Sequence, residues 1–432
     1  HIRNEHMIKT KFTALAAALM LLASCTKIEN IPTGGEITSA GHDTETTAET
    51  TVTETETTTT APPEPEYAEI SFLAVGDNLI HSSIYKQAAA RASANGKTGY
   101  DFEYAYKNIG DDIAAADIAV INQETLICNG LYEPSTYPMF NSPPELGDHM
   151  LDIGFDVFTI ANNHTLDKGT DGLSACLDYW AARPQAVVAG AYRDKEDESH
   201  IRTLEKDGVV FSFLAYTESL NGLSLPENSP LVIGRTGDTD LMCEQIRSAK
   251  EISDICVVAL HWGVENSDII SDEQRITAKK LADAGADIII GNHPHVLRDI
   301  EVIEREDGGE TVCAYSLGNF ISAQSVGQNL IGGILTFDIT VNLTDKSYDL
   351  DNILLTPIVT HYDGNYHDIR IYKLSEYPRE LADSHGVRNY SKFGYDYIYA
   401  VLEQNISPQF LNIERGNEDA EITGLQEQAP AA

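Results

Sequence analysis

The chain has 432 residues and is strongly acidic, because 67 Asp and Glu residues outnumber 29 Lys and Arg residues, which gives a formal net charge of −38. This charge argues against binding to a nucleic-acid backbone, since the chain contains no basic run that could displace counterions. The six cysteines show no CxxC spacing and imply neither a disulfide framework nor a zinc ribbon. An anionic substrate would need a local positive centre, which a bound cation can supply.

The N-terminal segment has the pattern of a bacterial lipoprotein signal. Met7 begins the basic stretch MIKTK, and the apolar run FTALAAALMLLASC follows and ends at Cys25. This run is shorter than the ~20 residues that a membrane-spanning helix needs. We therefore expect residues 1–25 to be a signal, with 1–6 a misplaced start, and Cys25 to be lipidated, so that the protein is anchored to the cell membrane outside the cytoplasm. The alternative is an ordinary secretory signal with an incidental cysteine.

Residues 26–66 have the composition of a disordered tether. They contain TETTAETTVTETETTTT and APPEPE, which offer almost no large apolar side chains to offset the entropy cost of ordering the backbone. We expect a folded domain at 67–372 and a C-terminal extension at 373–432, of which the last ~20 residues are expected to be disordered for the same compositional reason.

Six short apolar runs predict β-strands, and a polar cluster follows each of them. In chain order the runs are EISFLAV, DIAVI, DVFTIA, DICVVAL, ADIIIG and TVCAYS. Helical patterns lie between them, at 144–154, 171–183, 239–252 and 272–285. Alternating strands and helices predict an α/β fold, in which the carboxyl ends of parallel strands lie at one edge. We expect all six polar clusters to gather at this edge.

Two histidines follow the fifth strand in the segment GNHPH. Side chains at i and i+2 of an extended segment share a face, and Pro294 favours an extended conformation for the residue before it. His293 and His295 are therefore expected to point at one spot, as metal ligands would, although a polar turn is the alternative. The Asp, Glu, Asn and His residues at the other strand ends favour a metal site.

The ordered motifs of the chain resemble those of a known family. They are VGDNLIH, INQET, ANNHTLDKGTDGL, LHWGVE, GNHPHVLRDIE and YSLGNF, and together they resemble the bacterial capsule-synthesis CapA family. That family is linked with poly-γ-glutamate and resembles the calcineurin-like metallophosphoesterases. The resemblance covers about residues 69–325. It implies an α/β fold with a two-sheet sandwich, helices outside and a metal site at the strand carboxyl ends.

The resemblance also implies a centre for two divalent metal ions. The expected ligands are Asp77 and His295 for the first metal, Glu124 as the bridge, and Asn163, His261 and His293 for the second metal. The calcineurin-like pattern usually has a histidine where this chain has Leu79, and His81 is the candidate replacement, with a surface histidine as the alternative. Ligands of these types suit Mn, Fe or Zn.

Further residues are expected to assist the chemistry. His164 is expected to face the leaving group and donate a proton, with Asp167 orienting its ring, and capping of the turn is the alternative for both. Glu265 follows His261 by four residues and could orient that imidazole, or could be a solvated loop residue. Asn319 is expected to shape a turn beneath the site, behind the ligands.

Three functional hypotheses follow. The first is an extracytoplasmic metal-dependent, phosphoesterase-like hydrolase that acts in capsule or poly-γ-glutamate biosynthesis or export. The second is a non-catalytic accessory that holds or anchors an anionic capsular polymer, and the third is an amide hydrolase or transferase that acts on this polymer. The expected partners are the membrane, through the lipid, an anionic cell-surface polymer or phosphoester substrate, and other capsule-synthesis proteins, but not nucleic acid.

Overall fold

The computed structural model describes residues 65–413. All of them belong to one compact unit of the chain, which begins at Pro63. The predicted signal at 1–25, nearly all of the predicted tether at 26–66 and the end of the C-terminal extension lie outside the described residues, so those expectations stay predictions. Every helix of the described part is too short or too polar to span a bilayer.

The strands of the described residues are numbered in chain order. They are β1 Tyr67–Asn78, β2 Ile118–Asn122, β3 Val157–Thr159, β4 Val187–Ala189, β5 Ala191–Tyr192, β6 Arg202–Lys206, β7 Val209–Thr217, β8 Val232–Ile233, β9 Ile255–His261, β10 Ile288–Asn292, β11 Leu297–Glu304, β12 Glu310–Leu317, β13 Asn319–Ile321, β14 Ile331–Asn342, β15 Tyr348–Asp363 and β16 His367–Lys373. The six predicted strands are therefore confirmed as β1, β2, β3, β9, β10 and β12.

The helices alternate with these strands over much of the chain. They are α1 Ser82–Ala94, α2 Glu103–Tyr106, α3 Gly110–Ala114, α4 Pro144–Asp152, α5 Gly169–Ala181, α6 Lys195–Ser199, α7 Thr239–Lys250, α8 Asp272–Asp283, α9 Arg379–Ser384 and α10 Tyr395–Asn405. Short 3₁₀ turns occur at Gly327–Leu330, Gly364–Tyr366, Leu374–Glu376, Gly386–Asn389 and Pro408–Phe410. The four predicted helices correspond to α4, α5, α7 and α8.

The larger sheet has eight strands. Seven lie in the order β16-β15-β14-β1-β2-β3-β4, and β13 pairs with β1. Strands β1 to β4 run parallel, whereas β14, β15 and β16 are antiparallel. The register places Asp77 beside Asn122 and Asn122 beside Thr159. The carboxyl ends of β1, β2 and β3 are therefore level with one another.

The second sheet has six strands in the order β11-β12-β10-β9-β7-β6. Its central strands β12, β10, β9 and β7 are parallel, and β11 and β6 are antiparallel at the two edges. The register aligns Thr217 with His261 and His261 with Asn292. This sheet also ends its parallel strands in a level row of polar residues.

The core explains why the central strands read as continuous apolar runs. Every residue of β9 is buried, and its side chains alternate between two faces. Val257 and Ala259 pack in the core that the two sheets share, whereas Val258 and Leu260 pack in a separate core beneath α7 and α8. The predicted α/β fold with a two-sheet sandwich and outer helices is therefore confirmed.

Candidate metal centre

Polar side chains from the ends of both sheets meet in one buried cluster. It contains Asp77 at the end of β1, Glu124 after β2, Asn163 and His164 after β3, His261 at the end of β9, His293 and His295 after β10, and Asn319 at the start of β13. None of these residues is more than 8% exposed. The polar clusters that follow the six predicted strands thus come together, although two sheets rather than one supply them.

The backbone of β1 is held in place at this edge by a close glycine contact. The amide N–H of Asp77 donates to the carbonyl oxygen of Gly318, at 2.9 Å. A Cβ atom at Gly76 would collide with that same oxygen, so only glycine allows the two segments to come this close. The glycines in VGDN and SLGN therefore serve to place Asp77 next to the turn that precedes Asn319.

The turn that contains the two histidines corrects one part of the sequence interpretation. β10 ends at Asn292, and His293 and His295 adopt φ angles of +98° and +60° rather than an extended conformation. The rings converge because the backbone is left-handed, not because alternate residues of a strand share a face. Such conformations are strained for residues with a Cβ atom and cluster at functional sites. The N–H of His293 donates to the Asp77 carboxylate, with Oδ2 at 3.2 Å.

The residues Asp77, Glu124 and His295, called here the Asp77 group, have ligand atoms within 4.8 Å of one another and could hold a metal ion. His295 Nδ1 lies 3.0 Å from Asp77 Oδ2 and 2.9 Å from Asn319 Oδ1. Burial disfavours the charged form of His295, but the carboxylates of Glu124 and Asp77 outweigh burial and raise its pKa to about 9. The three side chains of the Asp77 group therefore place two carboxylates and one imidazole, all potential metal ligands, close together.

Glu124 lies at the centre of the cluster and is completely buried. Its Oε1 atom lies 3.9 Å from His164 Nε2, 3.8 Å from His261 Nε2 and 3.9 Å from His295 Nε2. Neither carboxylate oxygen has a hydrogen-bond partner among the described residues. Burial, together with the neighbouring Asp77 carboxylate, raises the pKa of Glu124 well above its ordinary value. Buried polar atoms nearly always have partners, so these two oxygens fit a site for a cation.

Asn163, His261 and His293, called here the His261 group, form a second set of side chains in contact beside Glu124. His261 Nε2 is 3.0 Å from Asn163 Oδ1 and 3.0 Å from His293 Nδ1. Burial and the neighbouring imidazoles lower the pKa of His261 well below its ordinary value, and they lower that of His293 to about 4. Both rings are therefore neutral near pH 7, which is the form that binds metals.

His164 is fixed from two directions. Its Nδ1 atom lies 2.8 Å from Asp167 Oδ2, and the same carboxylate oxygen accepts the backbone N–H of Phe140 at 2.6 Å. The Phe140 ring packs against the imidazole in a T-shaped contact with 4.7 Å between centroids. Because Asp167 occupies Nδ1, the Nε2 atom of His164 is the one that faces Glu124. The structure therefore brings His164 and Asp167 into direct contact, as expected if Asp167 orients the His164 ring.

Two candidate residues do not reach the centre through direct contacts. His81 Nδ1 lies 3.2 Å from the Leu79 carbonyl oxygen and 3.2 Å from the Ala323 amide nitrogen, and its ring packs against Phe140 with 5.4 Å between centroids. Glu265 is exposed and makes no hydrogen bond or ion pair with His261 in the described part of the chain. The Nδ1 atom of His261 instead lies 3.3 Å from Asn122 Nδ2.

The sequence interpretation assigned no role to several amides around the carboxylates. Asn122 Nδ2 donates to Asp77 Oδ1 at 2.7 Å, and Tyr106 donates its hydroxyl to Asn78 Oδ1 at 2.8 Å. Asn78 in turn donates to Gln123 Oε1 at 2.8 Å. Asn78 follows Asp77 directly, and Asn122 and Gln123 precede Glu124. Their positions next to the candidate ligands within the motifs could therefore have indicated that these amides support the site. Asn122 therefore orients the Asp77 carboxylate, whereas Asn78 and Gln123 link the segments that carry Asp77 and Glu124.

Comparisons with known proteins give consistent relatives. Residues 71–324 match the family model described as Bacterial capsule synthesis protein PGA_cap. The chain is 34% identical over 211 residues to PGA biosynthesis protein CapA of Bacillus subtilis (strain 168), which covers 49% of this chain and 52% of that protein. It is 33% identical over 176 residues to Capsule biosynthesis protein CapA of Bacillus anthracis, which covers 40% of this chain and 41% of that protein. The matched stretches thus span about half, or less, of these relatives.

Among solved structures, the chain is similar to a phosphatase from Mycoplasma pneumoniae. The sequence identity is 12% and the TM-score is 0.40, over 68% of this chain and 95% of that one.

Proposed function

This chain belongs to the bacterial capsule synthesis protein PGA_cap family. From that premise we propose that it is an extracytoplasmic, metal-dependent, phosphoesterase-like hydrolase. We propose that it acts in capsule or poly-γ-glutamate biosynthesis or export. The observation that supports this most strongly is the Glu124 carboxylate, which is 0% exposed and has no hydrogen-bond partner for either oxygen among residues 65–413. Three histidine nitrogens surround it at 3.8–3.9 Å. A carboxylate in this position is stable when it bridges cations.

The residues present fit two divalent ions. The Asp77 group would hold one ion and the His261 group the other, and the Glu124 carboxylate would serve both. Their carboxylate, amide and imidazole donors suit Mn, Fe or Zn. When bound, such ions polarise a phosphoryl oxygen and lower the pKa of water. Asn122 and Asn319 keep Asp77 and His295 oriented toward the ions, as partners behind metal ligands commonly do.

His164 is the residue best placed to assist the leaving group. Asp167 accepts a hydrogen bond from Nδ1 and Phe140 packs on the ring, so the imidazole cannot turn away from the centre. A protonated His164 can therefore donate its Nε2 proton to the departing oxygen of a phosphoester. The burial of the whole cluster limits the access of bulk water, which strengthens its electrostatic interactions.

A non-catalytic accessory that holds an anionic polymer is the second candidate. It is favoured by the side chains near the Asp77 group. Leu79 is 2% exposed and has no donor atom in its side chain, and His81 interacts electrostatically with His295 but makes its hydrogen bonds with the backbone of Leu79 and Ala323. The Asp77 group therefore offers one histidine, which favours weaker binding of its ion and a centre that recognises polymer carboxylates without cleaving a bond.

Metal analysis and a substrate screen together test the proposal. The purified protein is analysed for bound metals and assayed on phosphomonoesters, phosphodiesters and poly-γ-glutamate, alongside Glu124→Gln and the exposed control Glu304→Gln. We expect about two ions per chain and phosphoester turnover in the wild type and the control, with both lost in Glu124→Gln. Bound metal without turnover on any substrate would favour the accessory role. A wild-type protein that binds no metal would contradict both the proposed hydrolase activity and the proposed metal centre.

A further inference from the structure

Arg298 on β11 is a buried arginine. It is 1% exposed, and no carboxylate among the described residues lies within ion-pair distance of it. Its guanidinium donates instead to the Ser267 carbonyl at 2.9 Å, to Gln274 Oε1 at 3.0 Å and to the Val264 carbonyl at 3.2 Å. Burial lowers the pKa of Arg298 to about 10, so the side chain stays charged at neutral pH. The carboxylates of Asp268 and Glu218 act on the guanidinium only from beyond ion-pair distance, so its direct partners are neutral, which makes its burial costly.

These three hydrogen bonds fix residues 263–271, called here the 263–271 loop, which form all but the first residue of the connection between β9 and α8. Val264 and Ser267 belong to the loop, and Gln274 belongs to the capping box that begins α8. Gly263 has a φ angle of +92°, and a Cβ atom there would lie 2.6 Å from Nη1 of Arg298. A glycine at this position therefore allows the guanidinium to approach the loop. Arg298 thus holds the loop near its start, at its middle and at its junction with α8.

The middle of this loop contacts the strained turn of the metal centre. The backbone N–H of Asn266 donates to the carbonyl oxygen of Pro294 at 2.8 Å, and Asn266 Oδ1 accepts from Asn329 Nδ2 at 2.5 Å. Pro294 lies between His293 and His295, whose φ angles are both positive. A strained backbone persists only where its surroundings hold it in place. The 263–271 loop is one of those surroundings.

We infer that Arg298 is a positioning residue for the metal centre, which holds the 263–271 loop against Pro294 and thereby keeps His293 and His295 in the conformation that presents both rings to the ions. The inference rests on the proposed function, because it requires a metal to bind there. The contribution is indirect, since Arg298 contacts the loop and not the histidines. Loss of a partner that bonds directly to a metal ligand weakens metal binding by about 10–100-fold in general, and we take this range as the expected effect of losing Arg298.

Metal affinity, measured apart from activity, tests the inference. Protein stripped with chelator is titrated with Mn²⁺ by calorimetry for the wild type, Arg298→Met and Arg298→Lys, well below each melting temperature. The control is Arg305→Met, which removes another largely buried guanidinium, one paired with Asp287. Asp287 precedes β10, so this pair lies at the opposite end of the second sheet from the centre. The control separates a general loss of stability from an effect on the site.

We expect Arg305→Met to melt earlier but to bind Mn²⁺ as tightly as the wild type, and both Arg298 variants to bind about 10–100-fold more weakly. Lysine keeps the charge but presents its donors at a single point, so it cannot span three acceptors and is not expected to restore affinity. If Arg298→Met does not fold, Arg298→Lys alone decides the question. Wild-type affinity in a folded Arg298 variant would overturn the inference and leave the proposed function standing, whereas no Mn²⁺ binding by the wild type would contradict the proposed function itself.

Discussion

His164 differs from the other histidines of the cluster because a carboxylate already occupies one of its ring nitrogens. Asp167 Oδ2 lies 2.8 Å from Nδ1, and Nε2 lies 3.9 Å from Glu124 Oε1. We propose proton transfer as its role, which contributes about 10²–10⁴-fold to a rate. We expect His164→Ala to keep its bound metal and lose turnover by this factor, as measured by elemental analysis and steady-state kinetics.

His295→Ala is the matched comparison for that prediction, because His295 is a candidate ligand. We expect it to lose metal as well as turnover. Equal metal contents in wild type, His164→Ala, His293→Ala and His295→Ala would mean that the GNHPH segment is only a turn.

Single residues were predictable from the sequence where a motif places them at a strand end. Asp77, Glu124 and His261 follow from apolar runs that stop at a polar residue. The conformation of His293 was not predictable, since a positive φ angle depends on contacts with Asp77 and with the distant 263–271 loop. Arg298 was also missed, because a single charged residue within an edge strand gives no sign that it is buried.

At the scale of elements, a buried carboxylate joins the amino-terminal ends of the strands in the second sheet. Asp287 is 0% exposed, and it accepts from Lys250 Nζ at 2.8 Å, Arg305 Nη1 at 2.5 Å and the Cys256 N–H at 2.6 Å. Removing its charge takes the buried partner from Lys250 and from Arg305, and Arg305 keeps only its ion pair with Asp307. We expect Asp287→Asn to destabilise the domain by about 3–5 kcal/mol, the usual cost of breaking a buried pair, as measured by denaturant unfolding. An unchanged unfolding midpoint would contradict this.

His385 makes the region after β16 sensitive to acid. Its Nε2 atom lies 3.0 Å from the Thr360 carbonyl oxygen and its Nδ1 atom accepts the Val387 N–H, so both ring positions are occupied in the neutral form. Burial lowers the pKa of His385 to about 3. Because the unfolded chain binds this proton near pH 6.5, the stability from His385 is present above that pH and is lost as the pH falls toward 3.

We therefore expect the melting temperature to fall between about pH 6.5 and pH 5, where carboxylates with ordinary pKa values are still ionised. The fall should be shallower in His385→Gln, which has no proton to gain. Parallel curves for the two proteins, measured by thermal unfolding across this interval, would show that His385 does not titrate in this way.

Elements were predictable where both faces of a strand are buried. β9 and β10 are continuous apolar runs because one side packs between the sheets and the other beneath helices. β7 was not among the predicted strands, although its sequence VVFSFLAYT is equally apolar. No candidate metal ligand follows it, so it was not part of the predicted pattern of apolar runs that end in a polar cluster. Which strands belong to which sheet depends on pairing between distant segments, and local patterns do not specify that pairing.

At the scale of the whole molecule, the proposed location depends on Cys25, which lies outside the described residues. Acyl chains add about 0.8 kcal/mol of membrane affinity per buried CH₂ group, so several chains hold a protein firmly. We expect the full chain to partition with membranes and to incorporate labelled fatty acid, and Cys25→Ala to do neither. A Cys25→Ala protein that still carries acyl label and sediments with membranes would contradict this.

The central claim is that two divalent ions bind on either side of Glu124, and anomalous X-ray diffraction from crystals grown with Mn²⁺ tests it directly. We expect two peaks at the manganese edge, one bordered by the Asp77 group and one by the His261 group, about 3.5–4 Å apart as in two-metal hydrolases. A map with no anomalous peak at Glu124, from crystals in which the protein is saturated with Mn²⁺, would contradict the account.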